Sequence, residues 1–229
     1  MEYSEIQGVA KKTIEYIRTM ITPGMKLIAV RQMCEDEMLR LGANSFWYWD
    51  IGAFCFSGVE TTVSVSGKEY KTSDRIISEN DIITIDLSPQ NNDIWGDYAR
   101  TIIVQNGVVA ENIENVINAE WKKGLLMEEQ LHSEMKKFVT LETSFEELYY
   151  HINDTIHQCG FVNLDFNGNL GHSIVKTKSD RIYIEKGNDT KLSEVSMFTF
   201  EPHISGKESL YGYKKEDIYY FEEGKLKKL

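Results

Sequence analysis

Residues 82–104 read IITIDLSPQNNDIWGDYARTIIV, and this stretch decides how the rest of the chain is interpreted. Both ends are apolar and β-branched, so residues 82–87 and 99–104 are predicted to be strands. The residues between them, among them Pro89 and Gly96, favour a turn. A hairpin would place the carboxylates of Asp86 and Asp97 on neighbouring strands. The stretch therefore predicts two acidic side chains close together inside a sheet.

Asp86 is surrounded in the sequence by isoleucines. A carboxylate buried among apolar residues is costly unless it is paired or bound to a metal ion. A simpler interpretation is a turn that carries two ordinary acids, in which Asp97 pairs with Arg100. This segment alone leaves both interpretations open.

Three candidates later in the chain join the two aspartates. His172 follows a glycine, Glu201 lies in the aromatic segment FTFEPHI (198–204), and Glu216 precedes an apolar run. Taken singly, His172 is more simply structural or exposed, and Glu216 more simply faces solvent. Glu201 is flanked by aromatic residues and proline, so we expect it to be buried. All five side chains together predict a metal site.

The order of these residues resembles that of the pita-bread metallopeptidases, which include methionine aminopeptidases, Xaa-Pro aminopeptidases and prolidases. Two further segments carry the resemblance: Asp97-Tyr98-Ala99-Arg100-Thr101 and Tyr213-Lys214-Lys215-Glu216-Asp217. The resemblance implies an α+β pita-bread fold with two pseudo-symmetric halves around a curved antiparallel sheet. It spans essentially the whole chain, so residues 1–229 are expected to form a single domain without the N-terminal domain of most Xaa-Pro enzymes.

The resemblance also implies how the metal ligands divide between two divalent ions. Asp86 would chelate one ion, Asp97 and Glu216 would bridge both, and His172 and Glu201 would complete the second. Ligation by oxygen atoms and a single imidazole suits Mn, Co, Fe or Zn and leaves the choice among them open. Two close cations can share a hydroxide, lower its pKa and polarise a substrate carbonyl.

Two histidines that assist catalysis in the family are missing here. Residues 54–86 and 173–179 contain no histidine. Glu201 is the expected proton carrier, and His203 is a second catalytic candidate because residues two apart on a strand share a face. The alternative is that the strand ends at Pro202 and His203 faces water. His132, His151 and His157 are expected at the surface.

These observations favour a metal-dependent hydrolase that acts as an aminopeptidase or Xaa-Pro-type dipeptidase on a small peptide or amide. Two alternatives stay open. One is a hydrolase of the same fold that acts on a non-peptide amide, and the other is a module that binds peptides or partners without cleaving them. The missing histidines favour the alternatives, whereas the complete ligand set favours hydrolysis.

The net charge of −11 and a pI of about 5.0 argue against a nucleic-acid partner and against docking on an anionic membrane. Cys34, Cys55 and Cys159 are odd in number and widely spaced, which is typical of reduced thiols. The N-terminus has no apolar run of the kind found in signal peptides. We therefore expect a cytoplasmic protein, either a monomer or a homodimer.

Helices and strands are predicted to alternate in two cycles. The first cycle has two helices, the earlier with an apolar stripe and the later ending near Gly42, followed by strands that include residues 61–66. The second has a helix over residues 113–137 with a break at Gly124, and another helix that begins with a capping box at Ser144. Strands then return at residues 196–204 and 217–221. The aromatic residues at 46–49 are expected either in the core or in a pocket wall.

Overall fold

Four α-helices and thirteen β-strands make up the regular structure of residues 1–229 in the computed structural model. The helices are α1 (Tyr3–Met20), α2 (Leu27–Arg40), α3 (Ala119–Phe138) and α4 (Phe145–Gln158). The strands are β1 (Ser45–Phe46), β2 (Ala53–Ser57), β3 (Asp81–Leu87), β4 (Pro89–Asn91), β5 (Ile94–Trp95), β6 (Tyr98–Gln105), β7 (Val108–Val109), β8 (Phe161–Asn163), β9 (Phe198–Phe200), β10 (His203–Gly206), β11 (Gly212–Lys214), β12 (Asp217–Glu222) and β13 (Lys225–Lys228). No helix is both long enough and apolar enough to cross a membrane.

The first half of the chain packs α1 and α2 against an antiparallel sheet of order β2-β3-β6-β7. The apolar stripe of α1 is buried as predicted, at Ile6, Val9, Ala10, Ile14 and Ile17. The isoleucine and valine side chains among them contribute roughly 1.5–3 kcal/mol each when they leave water. This burial therefore holds α1 against the sheet that carries both aspartates.

The predicted hairpin is the pairing of β3 with β6. Asp86 lies opposite Ala99 in the register, and Asp97 immediately precedes β6. The intervening turn is longer than a simple one, because its residues form β4 and β5, which pair with β1 in a separate sheet. The aspartates are nevertheless brought to the same end of the β3–β6 pair.

The second half repeats the plan with α3, α4 and two three-stranded antiparallel sheets. One sheet has the order β11-β10-β8 and the other β13-β12-β9. The Ser144 hydroxyl accepts a hydrogen bond from the Glu147 amide, and the Glu147 carboxylate accepts one from the Ser144 amide. This confirms the predicted capping box at the start of α4.

Three predicted elements differ in the structure. Residues 61–66 are not a strand, because a 3-10 helix (Gly58–Thr62) precedes irregular backbone and the Thr61 hydroxyl is bound to the Gly58 carbonyl. The helix predicted at 113–137 is interrupted before Asn118, which caps α3, and not at Gly124. The strand predicted at 196–204 is divided into β9 and β10 at Pro202, which has no amide proton to donate.

Candidate metal centre

Three carboxylates from separate elements form the core of the centre. Asp86 lies on β3, Asp97 precedes β6, and Glu216 lies between β11 and β12. One carboxylate oxygen from each falls within 4.8 Å of the others. The Glu216 amide donates to the Ala99 carbonyl over 3.0 Å, which ties the last of these acids to the strand that follows Asp97.

His172 and Glu201 adjoin this cluster. The Nε2 atom of His172 lies 3.5 Å from Asp97 Oδ2 and 3.7 Å from Glu201 Oε1. The structure thus brings all five predicted ligands together. The position before His172 requires glycine, because the φ of Gly171 is +139° and a Cβ there would lie 2.3 Å from the Thr199 carbonyl oxygen.

The side chains present fit a cation. Glu216 is fully buried, and neither of its carboxylate oxygens has a hydrogen-bond partner. The Nδ1 atom of His172 lies 3.2 Å from the Ser173 carbonyl, so the neutral ring donates from Nδ1 and directs the lone pair of Nε2 toward carboxylate oxygens. A lone pair facing anions is unfavourable unless a positive ion lies between them.

The electrostatics of the cluster agree with this geometry. Burial and the neighbouring Asp86 raise the pKa of Asp97 well above its usual range. Burial and Asp97 raise the pKa of Glu216 in the same way. Burial lowers the pKa of His172 to about 4. Without a cation the acids tend toward their neutral forms, so bound positive charge would be needed to hold them ionised.

Gln7 and Arg100 were not predicted to support the ligands, but each of them binds the backbone of one proposed ligand. The Gln7 side chain donates to the Asp97 carbonyl over 2.7 Å and accepts from the Asp97 amide over 3.0 Å. Arg100 donates to the Glu216 carbonyl over 2.6 Å and to Asp217 Oδ1 over 2.7 Å. The alternative pairing of Arg100 with Asp97 is therefore not formed.

Lys214 is a further residue that the sequence analysis did not assign to the site. Its Nζ atom lies 2.5 Å from Asp86 Oδ2 and 3.1 Å from Glu201 Oε2. Burial disfavours its charged form, but Asp86, Glu201 and Glu216 outweigh that effect and raise its pKa well above its usual range. The available signal was its position two residues before Glu216, in the segment Tyr213-Lys214-Lys215-Glu216-Asp217.

A cavity of about 410 Å³ opens beside the cluster. Four of the predicted ligands line it, together with Lys214 and an aromatic wall that includes Trp47, Tyr48, Phe54, Phe56 and Tyr183. The aromatic segment at 46–49 thus serves both predicted purposes. Trp47 and Tyr48 form cavity wall, Phe46 packs against the core of the first half, and Trp49 is exposed.

Arg181 is a cation at the same cavity without a carboxylate partner. Its guanidinium carbon lies 4.6 Å from the ring centre of Trp47, and its Nε atom donates to the Lys178 carbonyl. Tyr48 and Tyr183 flank it at 5.8 and 5.7 Å. It forms no salt bridge, so its remaining donors are available to an anionic group in the cavity.

His203 lies in the cavity wall although the strand breaks before it. Its Nε2 atom is 2.7 Å from the Thr61 carbonyl, and burial lowers its pKa to about 4. The strand does break at Pro202, but His203 is buried on β10 and does not face water, and its hydrogen bond is to Thr61. No histidine besides His172 and His203 lines the cavity.

The expectation that His132 lies at the surface is wrong. Its side chain is buried between α3 and β12, where Nδ1 lies 2.8 Å from the Tyr219 hydroxyl and Nε2 lies 3.0 Å from the Lys215 carbonyl. Its polar neighbours along α3 concealed this contact, because the partners come from more than 80 residues away. His151 is half-buried and stacked on Phe138, and His157 is exposed.

Comparisons with known proteins agree with the fold. A sequence model described as metallopeptidase family M24 matches residues 2–223. The methionine aminopeptidase of Helicobacter pylori is 26% identical over 199 residues, which cover 82% of this chain and 72% of that enzyme.

Solved structures give the same fold. The X-Pro aminopeptidase of Thermotoga maritima superposes with a TM-score of 0.79 at 19% identity, covering 99% of this chain and 59% of that one. The prolidase of Pyrococcus furiosus superposes with a TM-score of 0.78 at 21% identity, covering 99% of this chain and 61% of that one. This chain has their pita-bread fold and spans about three fifths of their length.

Proposed function

The chain belongs to metallopeptidase family M24, and we propose that it is a metal-dependent hydrolase that releases the N-terminal residue of small peptides, as an aminopeptidase or an Xaa-Pro-type dipeptidase. The observation that carries this proposal is the convergence of five side chains able to bind metal beside one cavity: Asp86, Asp97, His172, Glu201 and Glu216. Both halves of the chain supply ligands, which supports the further proposal that residues 1–229 act as a single domain.

We assign Asp86 to one divalent ion, His172 and Glu201 to a second, and Asp97 and Glu216 to both. Mn, Co, Fe and Zn suit this donor set. Divalent ions bound there supply Lewis acids that polarise the scissile carbonyl and activate water. The aromatic wall reaches the ligands, since the ring centre of Trp47 lies 5.6 Å from that of His172, and it lowers the polarity of the cavity around them.

Glu201 is suited to carry a proton from the attacking water to the leaving nitrogen. Its Oε1 atom accepts a hydrogen bond from Thr199 over 3.1 Å, and burial raises its pKa, which favours uptake of a proton. His203 donates from Nε2 to the Thr61 carbonyl and keeps Nδ1 as an acceptor. It is suited to assist by binding a substrate N–H.

Arg181 favours a dipeptidase over an enzyme that acts on long peptides. A free dipeptide carries its carboxylate one residue from the scissile bond, within the dimensions of this cavity. Arg181 offers that carboxylate a guanidinium held by three aromatic rings and free of any salt bridge. A longer peptide would place a neutral amide there and gain no such contact.

The absence of the two histidines that assist catalysis in the family supports a second candidate function, which is not peptide hydrolysis. The chain would then hydrolyse a non-peptide amide or bind peptides without cleaving them. Residues 63–66 line the cavity with valine and serine only. Loss of acid–base assistance lowers rates by about 10²–10⁴. We therefore expect slow or narrowly specific hydrolysis of ordinary dipeptides.

The test combines metal analysis with a matched substrate panel. Purified protein loaded with Mn or Co is assayed on dipeptides, with and without proline as second residue, as free acids and as C-terminal amides. We expect kcat/KM for free acids to exceed kcat/KM for amides by about ten-fold, a gap that Arg181→Met should close by raising KM for the free acids. Absence of bound metal contradicts the proposal. Bound metal without turnover of any peptide supports the second candidate.

A further inference from the structure

Asp165 is a carboxylate in the cavity wall that lies outside the proposed ligand set. Its Oδ1 atom accepts hydrogen bonds from the Ser64 hydroxyl over 2.9 Å and from the Phe166 amide over 2.7 Å. Its Oδ2 atom has no hydrogen-bond or ion-pair partner, and Lys214, the one ammonium in this cavity wall, contacts two of the proposed ligands instead. One oxygen of Asp165 is therefore fixed in place, and the other is free to accept from a bound molecule.

The backbone places Asp165 next to His203. The Leu164 amide donates to the His203 carbonyl over 2.8 Å, and the Asp165 amide donates to the Asn163 side chain over 2.9 Å. The same Asn163 side chain donates to the Gly168 carbonyl over 2.9 Å, so both ends of this turn are held. The carboxylate of Asp165 therefore has a defined position on the His203 side of the cavity.

Arg181 stands on another side of the same cavity. The residue pair His172 and Tyr183 forms an antiparallel bridge, which brings the segment that carries Arg181 beside His172. The cavity wall thus presents an unpaired guanidinium near His172 and an unpaired carboxylate oxygen of Asp165 near the second histidine. A free dipeptide has complementary charges at its two ends, and two residues extend over at most about 7 Å.

We propose that Asp165 binds the α-ammonium group of the substrate, so that the chain recognises a dipeptide by both of its charged ends. An ammonium group offers three N–H donors, and its hydrogen bonds to a carboxylate are stronger than those between neutral groups. Ser64 is a positioning residue, because its hydroxyl occupies Oδ1 of Asp165. This inference rests on the proposed function, and it adds the residue that selects for a free amino terminus.

The test compares two ligands of Mn-loaded protein that differ only in the amino group. One is a dipeptide free acid, and the other is its desamino analogue, which keeps the scissile amide and the carboxylate. Wild type should hydrolyse the dipeptide with a kcat/KM at least ten-fold higher than that for the analogue. Asp165→Asn keeps the shape and removes the charge, so it should raise KM for the dipeptide by about ten-fold, leave KM for the analogue unchanged and change kcat less.

Two further substitutions serve as controls. Asp154→Asn removes an equal charge from an exposed position on α4 outside the cavity wall, so the ratio between the two ligands should stay at its wild-type value. Ser64→Ala should raise KM for the dipeptide by a smaller factor than Asp165→Asn, and Ser64→Thr, which keeps the hydroxyl, should restore it. If circular dichroism shows that Asp165→Asn is unfolded, Asp165→Ser replaces it, since serine is neutral and can accept from the same turn amide.

The outcomes separate this inference from the proposed function. A ratio that is the same in wild type and Asp165→Asn, or a wild type that does not distinguish the two ligands, overturns the inference and leaves the hydrolase standing. Turnover of neither ligand overturns the proposed function, and isothermal titration calorimetry with the same two ligands then decides the inference. Tighter binding of the dipeptide in wild type but not in Asp165→Asn supports it, and equal binding or no binding overturns it.

Discussion

At the scale of single residues, the side chains of the site differ in how visible they are in the sequence. The proposed ligands were predicted because each is a residue type that binds metal and several lie where such residues are costly. Gln7 and Lys214 were not predicted, because their partners lie 90 and 128 residues away in the chain. A buried polar contact over such a distance leaves no local pattern.

The proposed proton carrier predicts a graded response to substitution. Glu201→Gln removes the group that would take up and deliver the proton, so turnover should fall by about 10²–10⁴. His203→Ala removes only an assisting acceptor and should lower turnover by a smaller factor. Steady-state kinetics at matched metal occupancy measures both. Equal losses in the two variants, or a greater loss in His203→Ala, would contradict the roles given to them.

His132 predicts a stability that depends on pH. Burial lowers its pKa to about 3, whereas the unfolded chain titrates near 6.5. Between these values the unfolded state binds a proton that the folded state does not, so the folded state loses stability as pH falls below about 6.5. By pH 5 the free energy of unfolding should have fallen by on the order of 2 kcal/mol through this histidine.

Urea unfolding at pH 7.5 and pH 5 compares wild type with His132→Gln. The variant should be less stable at pH 7.5 but should lose less stability on acidification. The other histidines are common to both proteins, so their effects cancel in the difference. Identical pH dependence in the two proteins would show that His132 is not buried in its neutral form.

At the scale of elements, the strong periodic segments were predicted and the short irregular ones were not. The stripe of α1 and the capping box of α4 are local, so they can be read from neighbouring residues. The 3-10 helix at Gly58–Thr62 depends on long-range contacts of Thr61, whose hydroxyl accepts from the Gly212 amide and whose carbonyl faces His203. Tertiary contacts therefore override the β-branched character of residues 61–66.

Helix α3 continues through Gly124, where the ring of Tyr213 on β11 packs against the helix backbone. A Cβ at this position would lie 2.2–2.3 Å from ring atoms of Tyr213, whose hydroxyl donates to the Glu120 carbonyl. Gly124→Ala should therefore lower the free energy of unfolding by about 1–3 kcal/mol through overpacking. Because Tyr213 lies three residues before the proposed ligand Glu216, the same change should also weaken metal binding.

Gly8 in α1 gives the matched control for Gly124. A Cβ there has no neighbouring atom within 4 Å, so Gly8→Ala should gain about 0.5–1 kcal/mol from helix propensity alone. Chemical denaturation and Mn²⁺ titration of both variants provide the comparison. A stabilised Gly124→Ala with unchanged metal binding would mean that the ring of Tyr213 can move aside freely.

At the scale of the whole molecule, the two halves meet at the proposed ligands. Asp86 and Asp97 come from the first half, and His172, Glu201 and Glu216 come from the second. Four carboxylates gathered there repel one another and resist burial, so the site opposes folding in the absence of positive charge. Lys214 compensates only one of these negative charges. Stability of the whole fold is therefore expected to depend on bound metal.

Exhaustive chelation should consequently lower the melting temperature, and Mn or Co should restore it, because an ion that binds only the folded state stabilises that state by mass action. At a free ion concentration 100 times Kd the gain is about 2.7 kcal/mol for one site. Differential scanning calorimetry with bound metal counted in parallel measures the effect.

Asp97→Asn, which weakens a ligand assigned to both ions, should melt at nearly the same temperature with and without Mn. An unchanged wild-type melting curve after verified metal loss would show that the five residues do not form a strong site. A metal-dependent shift that persists undiminished in Asp97→Asn would place the stabilising ion elsewhere in the molecule.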